Sequence, residues 1–536
     1  MKKSKRTLSL LLCTVFLLSA LCACAKKPLT QENAPDGAAT VTTNGTSLDK
    51  SNTFIYGAEF MDDQYNPVLE ALTFESMLFR GLMSTDENCK PRCEVASDYS
   101  VSDDLLEYTF KLRDDVKFHD GTELTVEDVI FTLNSVRDEK VNSSLREDFV
   151  LISKVEKVDA SALRITLSEP FPALLDKLTI GIIPEHCFEG QDINTADFNL
   201  HPIGCGPYKF VSSENDSKLV LTRFDDFYGQ KASIENIVCL YLPDYNVRAM
   251  QLSTGEIDMA YVEPSQVAGL DKGSDTIVHK IPTADYRCVM FNFDASDVFD
   301  DVLVRQALCY ATDRQAVVDS IAHGFGDVAY SPLQLNRFNN AEVEKYSYDA
   351  KKAGELLDEA GWKDSDGDGI RDKGGKKLSF KLTAPITDEV RVNIATYLVS
   401  EWTKLGIDCK VDALDWSAID ISKCDAFVLG WGSPFDADND TYRLFCTTGA
   451  ANYGFYSNSA VDKALLEARV TADEAARAAC YADFQTALAE DPAYDFICYL
   501  TALYGANKRV SGINTNKTLG HHGAGVFWNI EEWTLN

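Results

Sequence analysis

The sequence is poor in the residues and motifs that mark enzymes and nucleic-acid-binding proteins. Histidine occurs seven times in 536 residues, and the 51 Lys and Arg residues are outnumbered by 83 Asp and Glu, which gives a net charge of -32. A nucleic acid is a polyanion and gains nothing from so acidic a surface, so it is a poor partner. The HExxH, GxSxG and complete P-loop patterns are all missing, and the sequence therefore carries little sign of catalysis.

The sequence also has no apolar run long enough to cross a membrane. Its longest run, residues 8–21, follows a basic start and falls short of the ~20 residues that a spanning helix needs. This pattern predicts a lipoprotein signal peptide over residues 1–23. Leu21-Cys22-Ala23-Cys24 resembles a bacterial lipobox, with Cys24 as the lipidated residue. The alternative is an ordinary secretory signal that is cleaved nearby.

The remaining chain predicts a tether followed by a globular α/β body. Residues 24–52 are rich in Ala, Thr, Asn, Gly and Ser without apolar periodicity, which favours a flexible tether. A hydrophobic content of 45% in a chain of this length predicts two or three domains with substantial cores. Strand patterns dominate up to residue 261, and long helices alternate with short strands after residue 287. This alternation predicts α/β layers on a mixed sheet.

Twelve cysteines are scattered through this body. Cys89 and Cys93 are the only close pair, and a disulfide between them depends on geometry. Cys239, Cys309 and Cys498 stand in apolar surroundings, which favours small buried hydrophobic side chains.

The most informative segment is Val101 to Leu133. Alternating apolar residues from Tyr108 to Leu112 predict a half-buried strand, and His119-Asp120-Gly121 predicts a turn. Thr125 and Asp128 then form a predicted capping box that opens an amphipathic helix. This run resembles the signature of the bacterial extracellular solute-binding proteins of family 5, the peptide- and nickel-type receptors of ABC importers.

Further segments carry the same resemblance, in the family's order and over roughly residues 53–536. They are PIGCGPYKF (202–210), STGEID (253–258), DVLVRQALCYATDRQAVVDSIAHGFG (301–326), the segment 348–362, DAFVLGW (425–431) and NYGFYSN (452–458). Arg305 and Arg314 lie on the predicted helices of this series and are interpreted as structural ion-pair partners.

The resemblance implies a two-lobed, periplasmic-binding-protein-like α/β fold (type II, cluster C) with an extra domain inserted in the first lobe. Lobe I would comprise residues 53–92, 187–286 and 508–536, with the inserted subdomain at 93–186 and lobe II at 287–507. Two lobes on a hinge enclose a cleft that closes over a ligand.

The strongest candidate for ligand binding is the segment Gly430 to Phe445, where an apolar strand runs into an acidic loop. The resemblance implies that Asp436 or Asp438 pairs with the α-ammonium of a peptide and that Trp431 lines the cavity. It places Asn452 and Tyr453 beside the same cleft, with Tyr65 facing it from the other lobe. The alternatives are a solvated acidic loop and aromatic residues that belong to the core.

Two possible metal sites differ in quality. Asp364, Asp366, Asp368 and Asp372 occupy positions one, three, five and nine of an EF-hand-like loop, which predicts a structural Ca²⁺ site remote from the ligand. Gly375 stands at the twelfth position, where such loops carry a bidentate Glu, and a plain Asp/Gly turn is the alternative. His521 and His522 are adjacent and diverge on any regular element, so a structural or surface role is favoured for them.

The resulting prediction is a lipid-anchored, non-enzymatic and monomeric receptor on the outer face of the cytoplasmic membrane. It would need no cofactor apart from the possible Ca²⁺, would capture di- or oligopeptides, and would deliver them to the permease and ATPase subunits of an ABC importer. One alternative is a receptor for nickel or a metal chelate. The other is a secreted hydrolase that uses carboxylates among Asp436, Asp438 and Asp440.

Overall fold

The computed structural model describes residues 40–43, 46–214, 217–270 and 275–536. The predicted signal peptide and the lipidation site at Cys24 lie outside the described residues. The chain divides into two compact units, residues 1–51 and 52–536. In the first unit, part of the segment predicted as a tether forms an antiparallel pair of strands, Thr40–Thr43 and Thr46–Asp49. The β-branched residues there favour extended backbone, and the intervening Asn-Gly sequence is common in two-residue hairpin loops.

The described strands and helices are numbered here in chain order. The strands are β1 (Thr40–Thr43), β2 (Thr46–Asp49), β3 (Thr53–Ala58), β4 (Met83–Thr85), β5 (Pro91–Cys93), β6 (Ala96–Val101), β7 (Glu107–Leu112), β8 (Ile152–Lys157), β9 (Ala162–Leu167), β10 (Tyr208–Glu214), β11 (Lys218–Arg223), β12 (Asn236–Tyr241), β13 (Met259–Tyr261), β14 (Thr276–Phe291), β15 (Gly326–Val328), β16 (Asp372–Lys373), β17 (Lys376–Lys377), β18 (Ser379–Pro385), β19 (Asp408–Leu414), β20 (Ala426–Trp431), β21 (Tyr494–Asn507), β22 (Val510–Ser511) and β23 (Thr534–Leu535). The helices are α1 (Glu75–Leu78), α2 (Val126–Arg137), α3 (Leu174–Lys177), α4 (Tyr245–Thr254), α5 (Val267–Leu270), α6 (Val302–Tyr310), α7 (Arg314–Ser320), α8 (Ala350–Glu359), α9 (Glu389–Thr403), α10 (Asp438–Phe445), α11 (Ser459–Val470) and α12 (Glu474–Glu490).

The second unit is built around one mixed sheet with the strand order β10-β11-β12-β3-β13-β21-β14-β20-β18-β19, and β15 pairs with β21 beside this path. Its two long central strands, β14 and β21, run antiparallel and contain 16 and 14 residues. Both contribute to more than one hydrophobic cluster. Their register shifts between Pro282 and Tyr286, close to the position where the surrounding core changes.

The buried residues divide the second unit along these two strands. The first hydrophobic cluster includes Ile281 and Ala502, whereas Tyr286 and Leu500 belong to the other two clusters. The change on β14 therefore lies close to the predicted boundary after residue 286. The change on β21 lies earlier in the chain than the predicted boundary after residue 507. The exact boundaries of the lobes stay a prediction.

The core of the second lobe has two layers because its strands alternate. Val289 and Val428 enter one cluster with α6, α8 and α9, whereas Cys288 and Phe427 enter the other with α10, α11 and α12. Successive side chains of a strand point to opposite faces of the sheet. Helices therefore cover both faces of β14 and β20, the arrangement predicted from the alternation of helices and strands.

The segment predicted as an insertion contains its own four-stranded antiparallel sheet, in the order β6-β7-β9-β8. Helix α2 packs on this sheet through buried residues that include Val129 and Leu133. Both halves of the predicted capping box at its start, Thr125 and Asp128, are present. The box satisfies amide groups that the first helical turn leaves without partners, which fixes where α2 begins.

Helix α12 does not begin with a capping box at Thr471 and Glu474, although these two residues have the spacing of one. The side chain of Asp473 accepts a hydrogen bond from the amide of Ala476 at 2.8 Å and caps α12. The Thr471 hydroxyl instead donates to the carbonyl of Glu467 at the end of α11. Aspartate is at least as good an N-cap as threonine, and it stands at the position immediately before the helix.

All twelve cysteines of the body are free thiols, including Cys89 and Cys93, the pair considered for a disulfide. The burial predicted for Cys239, Cys309 and Cys498 is confirmed. The ion-pair role predicted for Arg305 and Arg314 is also confirmed, since they contact Asp491 at 2.6 Å and Asp495 at 2.5 Å. None of the described helices is long and apolar enough to span a membrane.

Candidate ligand-binding site

The turn at His119 and the segment 202–210 pack directly against each other and thereby position one wall of a cavity. The Nδ1 atom of His119 accepts a hydrogen bond from the Gly204 amide at 3.1 Å, so its Nε2 atom carries the proton that is donated to the Gly206 carbonyl at 3.1 Å. Burial lowers the pKa of His119 to about 4, which keeps the ring neutral. A Cβ atom at Gly204 would lie 1.9 Å from the Leu78 carbonyl oxygen, so only glycine allows this approach.

The motif contact supports the segment that follows Leu78, and this segment lines a cavity of about 680 Å³. The cavity lies between residues 71–94, residues 145–180, the loop after β20 and the C-terminal segment 517–531. Its volume falls within the ~300–1,000 Å³ typical of sites for small ligands. Apolar side chains such as Phe79, Trp431, Phe435 and Trp528 alternate on its wall with charged ones.

Several charges on the cavity wall neutralise each other. Arg80 contacts Glu94 at 3.5 Å and Glu531 at 3.2 Å, and Lys177 contacts Asp148 at 2.8 Å. Burial opposes ionisation of Glu94, but Arg80 outweighs it and holds the pKa of that carboxyl below its ordinary value. These charges are satisfied inside the protein and need no ligand.

Two cations on the same wall lack a carboxylate partner among the described residues. Lys517 is 4% exposed and donates only to the carbonyl and hydroxyl oxygens of Thr85, at 3.2 and 2.7 Å. Its ammonium lies 4.3 Å from the centre of the Trp528 ring, and burial lowers its pKa to about 8. The Nε atom of Arg443 is buried without a hydrogen-bond partner. An uncompensated buried charge is costly, so the Lys517 ammonium is prepared for an anionic partner, and the partly exposed guanidinium of Arg443 is available for one as well.

Two carboxyls of the cavity wall, those of Glu75 and Asp176, have a raised pKa. Burial raises the pKa of Glu75 to about 7, against the effect of a hydrogen bond from the Gly181 amide at 2.8 Å. Burial, with the nearby Asp436 charge, also raises the pKa of Asp176 to about 7, and its Oδ1 atom has no hydrogen-bond partner. Neither carboxyl forms an ion pair within the part of the chain that the structure describes. Near neutral pH both are therefore partly protonated.

A polar cluster lies next to the cavity, where β14 passes between the lobes. His521, which lines the cavity, contacts Asp285 through Nδ1 at 2.6 Å, and Arg391 donates to its Nε2 atom at 3.3 Å. Burial opposes ionisation of Asp285, but Arg287 and His521 hold the pKa of that carboxyl well below its usual range. A Cβ atom at Gly430 would lie 2.5 Å from Arg287 and 2.7 Å from Arg391, so a larger residue there would displace the side chains of this cluster.

His522 has a left-handed backbone, with φ of 52°, and packs its ring against Phe60 at a centroid distance of 5.7 Å. Burial lowers the pKa of both histidines, that of His522 to about 3. The sequence predicts a structural or surface role for this pair and gives no sign of its place beside the cavity. That place depends on Asp285 and Arg391, which are far away in the chain.

The structure brings only some of the predicted ligand-binding residues to the cavity wall. Trp431 lines the cavity. Asp436 is buried away from it, where it accepts two hydrogen bonds from Arg477 and contacts Arg337 at 3.3 Å. Asp438 contacts Arg469 at 3.0 Å. Asp436 and Asp438 are thus neutralised by arginines of their own lobe, which local sequence could not reveal.

The other three predicted residues have structural contacts. Asn452 donates to the carbonyls of Cys446 and Tyr456 and holds their loop, while Tyr453 packs against the core formed with α10–α12. The hydroxyl of Tyr65 lies 3.1 Å from Ser213 Oγ, and its ring packs on Phe210. These residues are not part of the wall of the 680 Å³ cavity.

The predicted calcium loop brings an oxygen from each of Asp364, Asp366 and Asp372 within 4.8 Å of one another. Asp364 accepts hydrogen bonds from two amides of its own loop. The Lys377 ammonium lies 2.8 Å from Asp366 and 2.9 Å from Asp368. A lysine from the adjoining strand thus already provides positive charge for this loop, which the spacing of the acids did not indicate.

A two-lobed body on two shared strands, with a cavity lined by residues of both lobes, defines a solute-binding protein. Residues 90–453 match the profile of the bacterial extracellular solute-binding proteins, family 5 Middle. The chain belongs to this family, as the resemblance implied, and it has the predicted periplasmic-binding-protein-like fold.

Several relatives support this assignment. The chain is 35% identical over 448 residues to Protein XP55 of Streptomyces lividans, with 82% of each chain covered. It is 29% identical to the oligopeptide-binding protein AppA of Bacillus subtilis over the full length of both.

Solved structures give the same picture. NikZ from Campylobacter jejuni in complex with Ni(L-His) matches with a TM-score of 0.86 and 36% identity, over 90% of this chain and 99% of that one. AppA from Bacillus subtilis in complex with a nonapeptide matches with a TM-score of 0.80 and 28% identity, over the same shares.

Proposed function

We propose that this protein is the substrate-binding component of an ABC importer for short peptides. The observation that carries the proposal is the 680 Å³ cavity, whose wall combines aromatic side chains with charges of both signs. A peptide has an apolar and a polar side to match such a wall, and charged termini to match its free ionic groups. Relatives named as the oligopeptide-binding protein AppA and as a dipeptide-binding protein of Escherichia coli support this ligand class.

The same proposal includes the rest of the transport system. Cys24 would anchor the protein to the outer face of the cytoplasmic membrane, and the permease and ATPase subunits of the importer would be its partners. The ligand would be released unchanged, by a monomer without catalytic activity. Two of the three carboxylates considered for a hydrolase support this proposal, because Asp436 and Asp438 form ion pairs with Arg477 and Arg469.

The test is a thermal-unfolding screen of the purified protein with defined peptides of two to nine residues. A peptide that binds only the folded state raises Tm, by an amount that grows with its concentration above Kd. We expect a rise of several degrees, with the peptide recovered intact by mass spectrometry. Hydrolysis of the peptide, or no response to peptides of any length, would contradict the proposal.

A second candidate, a receptor for a nickel–histidine chelate, is favoured by His521. Its ring is neutral and lies on the cavity wall, and a carboxylate behind it fixes the tautomer, as is common for metal ligands. The relative NikZ was solved with such a chelate. In this chain, however, Arg391 donates to His521 Nε2, so metal binding would have to displace it. Nickel–histidine that raises Tm in the original protein but not in His521→Ala would favour this candidate.

A further inference from the structure

We propose that the cavity selects peptides that carry a second carboxylate besides the C-terminal one, with Lys517 and Arg443 as the two carboxylate-binding residues. This inference rests on the proposed function and specifies its ligand. Its basis is a mismatch of charge: the chain as a whole carries -32, yet Lys517 and Arg443 line this wall without a carboxylate partner among the described residues.

Lys517 provides the first binding position. An ammonium has three N–H donors, and Lys517 uses two of them on oxygens of Thr85. Both acceptors are neutral, and the aromatic face of Trp528 offers only a weak electrostatic contact at 4.3 Å. The remaining N–H and the full charge are therefore left for a group that enters the cavity.

Arg443 provides the second binding position. It lies in the last turn of α10 and lines the cavity, and its buried Nε atom has no hydrogen-bond partner among the described residues. A guanidinium can bind a carboxylate through two parallel hydrogen bonds, which gives both strength and orientation. The other arginines of this lobe near the acidic loop, Arg469 and Arg477, already have carboxylate partners.

The acids of the cavity do not cancel this preference. Glu94 and Glu531 are used by Arg80, and Asp148 is used by Lys177. Glu75 and Asp176 remain, and at pH 6.5, below their raised pKa of about 7, both are mostly neutral. A protonated carboxyl donates a hydrogen bond and does not repel an acidic ligand. The wall therefore presents two uncompensated positive charges and little opposing negative charge.

The experiment uses equilibrium dialysis of the purified protein at pH 6.5 against matched tripeptide and pentapeptide pools. The pools differ at one central residue, Glu, Gln or Lys, and each is made with a free and with an amidated C-terminus. Retained peptides are identified by mass spectrometry, and their Kd values are measured by calorimetry. We expect the Glu peptides to bind roughly tenfold or more tightly than the isosteric Gln peptides, because Gln lacks the negative charge of a charge-assisted hydrogen bond.

Two variants assign the carboxylates to residues. Lys517→Met and Arg443→Met should each lose one of the two ligand preferences and keep the other. The preference that is lost is seen as a ligand change, either Glu to Gln or free acid to amide, that no longer affects Kd. Lys517→Arg should retain the preference because it keeps the charge. Lys410→Met, in which a 73% exposed lysine is removed from β19, is the matched control and should bind like the original protein.

The possible results separate the two proposals. If Gln and Glu peptides bind equally, or if both variants keep both preferences, the inference is wrong and the peptide-binding function stands. If no pool is retained while nickel–histidine binds, the proposed function itself is wrong.

Discussion

The acidic loop after β20 and the cavity wall both bury charged side chains. The loop pairs Asp436 and Asp438 with opposite charges, whereas the wall leaves some of its charges without such a partner among the described residues. Asp436 has Arg477 and Arg337 as partners, whereas Lys517 has only neutral oxygens and an aromatic ring. A charge that is completed within the fold stabilises the protein, and a charge that is left incomplete is available for a ligand. We therefore expect a missing partner, rather than a residue type, to mark the proposed binding site.

The largest effect that would test this comparison is expected for Asp436→Asn. The substitution leaves Arg477 buried without its carboxylate, which should lower the free energy of unfolding by about 3–5 kcal/mol. Urea unfolding measures this change, and peptide affinity measured on the folded protein should stay within about twofold. Asp275→Asn removes an 87% exposed carboxylate and is the matched control. Lost binding with unchanged stability would instead support the ammonium-binding role predicted from the sequence.

Removal of the unpaired charge of Lys517 should raise the free energy of unfolding. Lys517→Met is expected to stabilise the ligand-free protein at pH 7, because it replaces an unpaired buried ammonium by an apolar chain. The pKa of Lys517, about 8, lies below its ordinary value of about 10.4, so the original protein gains stability as pH rises from 8 to 10. The difference between the two proteins in urea unfolding should therefore shrink over this range. A constant difference would show that the lysine is not responsible.

A smaller effect is expected for the protonated acids of the wall. The pKa of Glu75, about 7, is raised, so the folded protein binds more protons than the unfolded chain between pH 4.5 and 7 and loses stability as pH rises. Glu75→Gln should remove roughly 1–3 kcal/mol of this loss. Urea unfolding at pH 5 and pH 8 measures it, with the 80% exposed Glu474→Gln as the control. Parallel pH profiles of the variant and the original protein would contradict the assignment.

The smallest effect is expected at the loop of Asp364, Asp366 and Asp372. Because Lys377 supplies positive charge there, EDTA and Ca²⁺ should each change Tm by less than about 1 °C. In Lys377→Met the acids repel one another, and added Ca²⁺ should then raise Tm. A clear Ca²⁺ response of the original protein would instead support the calcium site predicted from the spacing.

The sequence predicted the fold better than it predicted the site, and the reason is the range of the interactions. The capping box at Thr125 and Asp128 involves neighbours three residues apart, so spacing alone identifies it. The cavity joins Arg80, Lys177, Arg443 and Lys517, which are separated by 97, 266 and 74 residues along the chain and have no shared local pattern. Trp431, the last residue of β20, was predicted from the family resemblance, which implies a tryptophan on the cavity wall at this position. The acids beside it were misleading because their arginine partners lie on later helices.

The free thiols have a further consequence for how this protein can be handled. Burial raises the pKa of Cys205, Cys409 and Cys498 to about 12, which leaves almost no reactive thiolate at neutral pH. Since no bond between cysteines holds the described fold together, we expect the body to mature equally well in reducing and in oxidising surroundings. The redox poise of the compartment would then be irrelevant to its assembly.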